Sequence, residues 1–216
     1  MTVEIKLPPP PDPDPHTDPL ARALVAEVLE RGAEANVAGL LSRPGVSEQE
    51  FRQRFASLED CALDVYERFI ASFERAVGGA YNEQSEWRSA LRASAYAATA
   101  WMGESPELME FGAVGVLTTG SEMVRVRREE VAAFCAGLVE QGREAAPDPA
   151  AVPESASLLA IGSILHLLTQ RLQEGAEIDL DEMVPQLMYG VVRVYLGEEA
   201  AQEELSLPRP DRPGSS

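Results

Sequence analysis

Apolar residues recur at helical spacing along most of the chain. Leu20, Leu24, Val25, Val28 and Leu29 form one stripe, which predicts a helix that begins at Asp18 or Pro19 and ends at Gly32. Val37, Leu40 and Leu41 predict a brief second helix, capped by Asn36 and broken by Pro44-Gly45. Ser47, with Glu50 three residues on, reads as a capping box opening a helix anchored by Val46, Phe51 and Phe55. Ser57 caps a longer helix through Cys61, Val65, Tyr66, Phe69, Phe73 and Val77, which Gly78-Gly79 is expected to stop.

Asn82 is expected to cap the next helix, which carries Trp87, Leu91, Tyr96 and Trp101 to Gly103. Pro106 starts another as far as Leu117, and Ser121 opens one ending near Gly142. The run APDPAAVP is a loop. Two strongly apolar helices follow, over about 154–174 and about 180–200, the second opened by Asp179 with Glu182 as its capping box. Their apolar faces are wider than one small body needs, which predicts a homodimer seam. No stretch alternates with period two, so the fold class is all-α. The run PPPPDPDPHTDP cannot enter a helix, so residues 1–17 read as an extended, mobile arm, and residues 205–216 as a disordered tail. Between them lie a three-helix head, 18–70, and a larger helical body, 71–204.

A helix, a tight glycine turn and a second helix are the helix-turn-helix arrangement used to read DNA. GVSEQEFRQRF followed by ASLEDCALDVYERF resembles the tetracycline-repressor (TetR) family. In that family a Gly-Val-Ser turn opens a recognition helix with a terminal aromatic residue, and a Ser-x-Glu segment starts a linking helix. Gly45, Val46, Ser47, Phe51, Phe55, Ser57, Glu59 and Leu63 fall on those positions, and the resemblance reaches back to about Leu20. It implies a DNA-binding head, an effector pocket in a dimeric helical body, and repression released by the effector. The outward positions differ from the family pattern: Glu48, Gln49, Glu50 and Arg52 stand where basic, small or tyrosine residues are usual, and Leu58 replaces a common basic residue.

Charge sharpens that difference. The 216 residues carry a net charge of -18, and Lys6 is the only lysine. Between Asp18 and Ile70, ten acidic residues against six arginines leave the head itself at -4. Such a surface does not attract nucleic acid or anionic membrane non-specifically. DNA recognition therefore rests on a few side chains: Arg43, Ser47, Glu48, Gln49, Arg52, Gln53 and Arg54. Glutamine can read adenine and arginine guanine, or the arginines can be surface residues paired with Glu48, Glu50 and Glu59.

The body suggests a second site. Trp87, Tyr96, Trp101, Met102, Met109, Phe111, Met123 and Phe134 can line a pocket for an apolar small molecule, or simply be core. His166, on an apolar helix, can line that pocket or the dimer seam, or be a hydrogen-bonded core residue. Two histidines, and two cysteines far apart in sequence, provide no metal motif or catalytic triad, and GAVGVLTTG lacks the lysine of a phosphate loop. No enzymatic activity and no cofactor are expected. No apolar run is long enough to span a bilayer and no signal pattern opens the chain, so a cytoplasmic protein without a membrane partner is expected. The leading reading is a ligand-responsive transcriptional regulator, a homodimer on a double-stranded operator. The alternative is a helical protein of the same build that has lost DNA binding and acts through ligand or protein contacts.

Overall fold

Capping and apolar spacing set the elements in the computed structural model, which describes residues 2–173 and 180–209. Asp18 accepts a hydrogen bond from the Leu20 amide and Pro19 takes the first helical position, starting α1 (Pro19–Arg31). α2 (Val37–Leu41) is capped by Asn36 and α3 (Glu48–Arg54) by Ser47, whose hydroxyl accepts from the Glu50 amide. Only half of the expected capping box forms there, because the Glu50 carboxylate turns to Arg54. The chain continues through α4 (Leu58–Asn82), α5 (Trp87–Glu104), α6 (Pro106–Ala113), a 3-10 turn at Gly115–Thr119, α7 (Glu122–Glu140) and α8 (Gly142–Ala145). It closes with α9 (Ala156–Gln173), α10 (Leu180–Leu196) and α11 (Glu198–Glu204). Among the described residues there is no strand, and no helix is long and apolar enough to cross a membrane.

The chain divides into two compact units. One comprises 8–75 and 101–130. Its core gathers Leu20, Leu24, Val25 and Val28 of α1, Leu40 of α2 and Phe51 of α3, as their spacing predicts. Trp101 sits against Phe69 at 4.6 Å and Phe73 at 5.2 Å, and its ring N–H donates to the Ser72 hydroxyl. This unit therefore includes a segment, 101–130, that the sequence places in the body. Arg68, buried, joins Asp18 and Asp64 and donates to the Pro13 carbonyl. Cys61 is also buried here, and burial pushes its thiol up to about 12, so it packs as a small apolar group.

The other unit comprises 1–7, 76–100 and 131–216. Gly78-Gly79 does not end α4, which runs on to Asn82. A β-carbon at Gly78 would lie 2.8 Å from Leu7 and 3.3 Å from Ile5, so this glycine admits the N-terminal segment instead of stopping the helix. Asn82 does not cap the following helix either. Its amide oxygen accepts from the Ile5 N–H and its amide nitrogen donates to the Ile5 carbonyl, both at 2.7 Å. The Thr2 hydroxyl donates to the Gln84 carbonyl and the Val3 amide to the Gln141 side chain. The arm is extended, as its prolines require, yet it is held in place by side chains far along the sequence, where the composition suggests mobility. Residues 210–216 of the expected tail, Asp179 and Glu174 lie outside the described residues.

α11 departs most from expectation. Its acidic cluster reads as a solvated helix end, but Glu204 has no exposed surface and its carboxylate takes both Arg88 and Arg92 of α5. Arg88 also reaches Glu203 and the Ala200 carbonyl. Taking one carboxylate away would leave two arginines facing each other in a poorly solvated place. Glu204→Ala is therefore expected to lower stability by about 3 kcal/mol in urea denaturation. A loss under about 1 kcal/mol would show the cluster to be a surface one.

Candidate functional site

The candidate nucleic-acid face is organised by a residue that faces inward. Glu27 lies one helical turn beyond Leu24 on the buried stripe of α1 and is only 1% exposed. Its carboxylate accepts from the Asn36 amide and twice from Arg43, and it forms an ion pair with Arg31 at 3.3 Å. A β-carbon on Gly39 would collide with it, so a side chain there would push the Glu27 carboxylate away from its partners. Pro44-Gly45 then turns the chain, with Gly45 at φ 83°, where a side chain would be strained. Phe51 buries itself, and the opposite face of α3 is left in water.

That exposed face carries Glu48, Gln49, Arg52 and Gln53. Gln49 and Gln53 lie one turn apart on it, both exposed. Arg52 pairs with Glu48 at 2.8 Å, both in solvent. Arg54 lies over the Phe55 ring and reaches Glu50 at 3.6 Å and Asp64 at 3.7 Å. Its second acid is thus Asp64, five residues beyond the Glu59 that the sequence suggested. Ser47 is engaged as a cap. Arg43, nominated as a DNA contact, is only 18% exposed and is fixed between Glu27 and Glu30. The same Arg43 bond holds the Glu30 carboxyl below its ordinary value. In place, Arg43 is a tie between the turn and α1. Sequence reasoning missed Glu27, although its position on an apolar stripe was the available signal.

The nine residues nominated for ligand binding divide between the two units. Trp87, Tyr96, Phe134 and His166 belong to one. The Trp87 ring N–H donates to the Leu138 carbonyl at 3.0 Å and its ring meets Tyr195 at 5.2 Å, so it is core. Tyr96 is buried beneath Arg209. Phe134 is half-buried, beside Gly78. His166 is exposed on α9, which rules out the core role open to it in the sequence. Trp101, Met102, Met109, Phe111 and Met123 belong to the other unit. There Trp101 and Phe111 are core, Met102 and Met109 half-buried, and Met123 exposed.

That second unit does contain a cleft, of about 380 Å³, and none of the nine lines it. Val25, Ala26 and Leu29 of α1 form one side, and Ser105, Glu107 and Leu108 at the start of α6 the other. Pro15 and Arg22 complete it. The sequence signal for it was absent, because Arg22 sits on the outward side of α1 and looks like any solvated arginine.

Comparison with family models, with curated proteins and with solved structures finds no match for this chain. The geometry therefore carries the argument alone. It separates two arginines of the same type. Arg43→Ala leaves the buried Glu27 carboxylate without its main partner and is expected to cost about 2–3 kcal/mol. Arg52→Ala breaks an exposed pair and is expected to cost less than about 1 kcal/mol. Urea midpoints of the two variants check this; equal losses would contradict the assigned roles.

Proposed function

We propose that this chain is a ligand-responsive DNA-binding regulator of the tetracycline-repressor type, most simply a repressor, working as a homodimer. The carrying observation is α3, seated by Phe51 behind a tight turn and presenting Gln49, Arg52 and Gln53 to solvent. Glutamine pairs bidentately with adenine and arginine with guanine in the major groove. The Glu48–Arg52 pair does not block this use, since an exposed pair one turn apart is worth only about 0.3–0.5 kcal/mol. Arg43 drops out of the contact set, because freeing it would strip the buried Glu27.

The dimer reading is supported by α9. Its inward stripe includes Ser157 and Leu168, and its other side leaves Leu158, Leu159, Leu165 and Leu167 in solvent beside His166. Val194 of α10 is exposed as well. Four leucines on one helix are more apolar surface than an isolated helix usually leaves in water. Val191 of α10 is buried within its own unit, so it is not a residue with which to probe the seam. Leu159→Asp, at a position 65% exposed, is expected to yield monomers of unchanged helical content. Light scattering at micromolar concentration checks this, and an unaltered mass would remove α9 from the seam.

A second reading, a helical protein without DNA binding, is favoured by one observation: Arg43, Arg52 and Arg54 each already meet a carboxylate. Selection from a random duplex library, titrated with salt, separates the two. The regulator reading expects enriched half-sites about 34–36 Å apart, or a multiple of that turn. It also expects a shallow salt slope, because few phosphates are neutralised. Arg52→Ala should relax base preference at one position, and Glu48→Lys should raise affinity for all sequences. Enrichment of nothing at low salt would favour the second reading.

A further inference from the structure

We propose that the cleft between α1 and the start of α6 binds a small monocarboxylic acid with a compact hydrocarbon body. This deepens the effector part of the regulatory reading and rests on it for its biological role, while the binding itself stands on the cleft. Its volume of about 380 Å³ is at the small end of ligand sites and matches roughly a dozen water volumes. A chain of six to ten carbons is the size that fits. Val25 and Leu108 are buried, Ala26 and Leu29 half-buried, and Pro15 closes the cleft from the N-terminal segment, so most of the wall is hydrocarbon.

The polar groups decide the ligand's head. In a chain with twice as many acids as bases, cations find partners easily. Every other described arginine of this unit meets a carboxylate or, for Arg75 and Arg128, a main-chain carbonyl. Arg22 meets neither, and it borders the cleft. A guanidinium fork matches one carboxylate with two parallel hydrogen bonds. The Ser105 hydroxyl precedes α6 without capping it, and as an O–H donor on the cleft wall it can turn to the same head group. Glu107, also on the wall, sets the limit on charge. One negative charge can be met by Arg22, whereas a phosphate dianion would face Glu107 with nothing to offset its second charge.

Calorimetry on the full chain tests this with hexanoate, hexanamide and hexyl phosphate. Hexanoate is expected to bind, with hexanamide about tenfold weaker for loss of the charge-assisted pair and hexyl phosphate weaker again. Arg22→Gln should bring hexanoate to the level of the amide without changing the unfolding temperature, because Arg22 is exposed. Ala26→Phe should abolish binding of both by filling the cleft. Amide cross-peaks of residues 22–29 and 105–108 should shift on addition of hexanoate. Equal binding of acid and amide, an unaltered hexanoate affinity in Arg22→Gln, shifts confined to other residues, or no heat from hexanoate up to millimolar concentration would each overturn the site. DNA selection that is the same with and without hexanoate, in a protein that binds it as described, would overturn the effector role alone and leave the site standing.

Discussion

A single carboxylate with almost no access to water, Glu27, holds the N-terminal helices in their arrangement. A buried charge is costly unless its lone pairs are filled, and here they are filled from three places in the sequence: Arg31 at the end of α1, the Asn36 amide ahead of α2, and Arg43 ahead of the turn. Because the Asn36 amide meets one oxygen of that carboxylate and Arg43 the other, satisfying the charge also ties the start of α2 and the departure of the turn to α1. Gly39 follows from this, since any side chain there would occupy the space of the Glu27 oxygens. The seating of Phe51, and so the face that α3 turns outward, depends on that arrangement.

The same economy recurs around Glu204, where one buried acid takes two arginines. The chain has half as many bases as acids, and it places several of its arginines where an acid is most expensive to leave alone. The surface that remains is strongly negative. For a reader of DNA this removes the sequence-independent attraction that phosphate neutralisation provides. Affinity would have to come from base contacts made by α3, with polar glutamines that carry no charge to DNA and so add little to non-specific binding. Such a protein would be selective before it was tight. The cleft beside Arg22 stands apart from this pattern, being a place in that unit where a cation borders apolar wall and is paired with no carboxylate among the described residues, although Glu107 stands on the same wall.

Periodicity and capping residues were enough for the first three helices, α1 to α3. Asp18, Asn36 and Ser47 each cap the helix that their chemistry implies, and Leu20, Leu24, Leu40 and Phe51 are buried where their spacing puts them. These are local determinants: a cap acts within one turn, and a stripe depends only on the pitch of the helix. Glycine was read less well for the same reason. Gly78 has the local signature of a helix stop, but its role is to let Ile5 and Leu7 approach, and those residues lie more than seventy positions earlier.

Pairing across sequence distance was decided by the tertiary structure alone. Nothing local distinguishes the Asn82 that clamps Ile5 from an asparagine that caps a helix, because both use the same amide. Nothing local distinguishes Arg43, locked to Glu27, from Arg52, exposed beside Glu48, or Arg22, which meets no carboxylate among the described residues. An arginine's availability depends on which carboxylates the fold brings within about 3 Å of it, and with twice as many acids as bases many pairings satisfy the composition equally. The aromatic and methionine residues of 83–140 show the same limit. Their types suit a pocket or a core alike, and only the partners of Trp87 and Trp101, a main-chain carbonyl and a serine hydroxyl, show that these two are core. The N-terminal helices and their buried faces were thus determined by the sequence read locally, and the ends of later helices, the buried charges and the chemistry of the surface by contacts that exist only once the chain has folded.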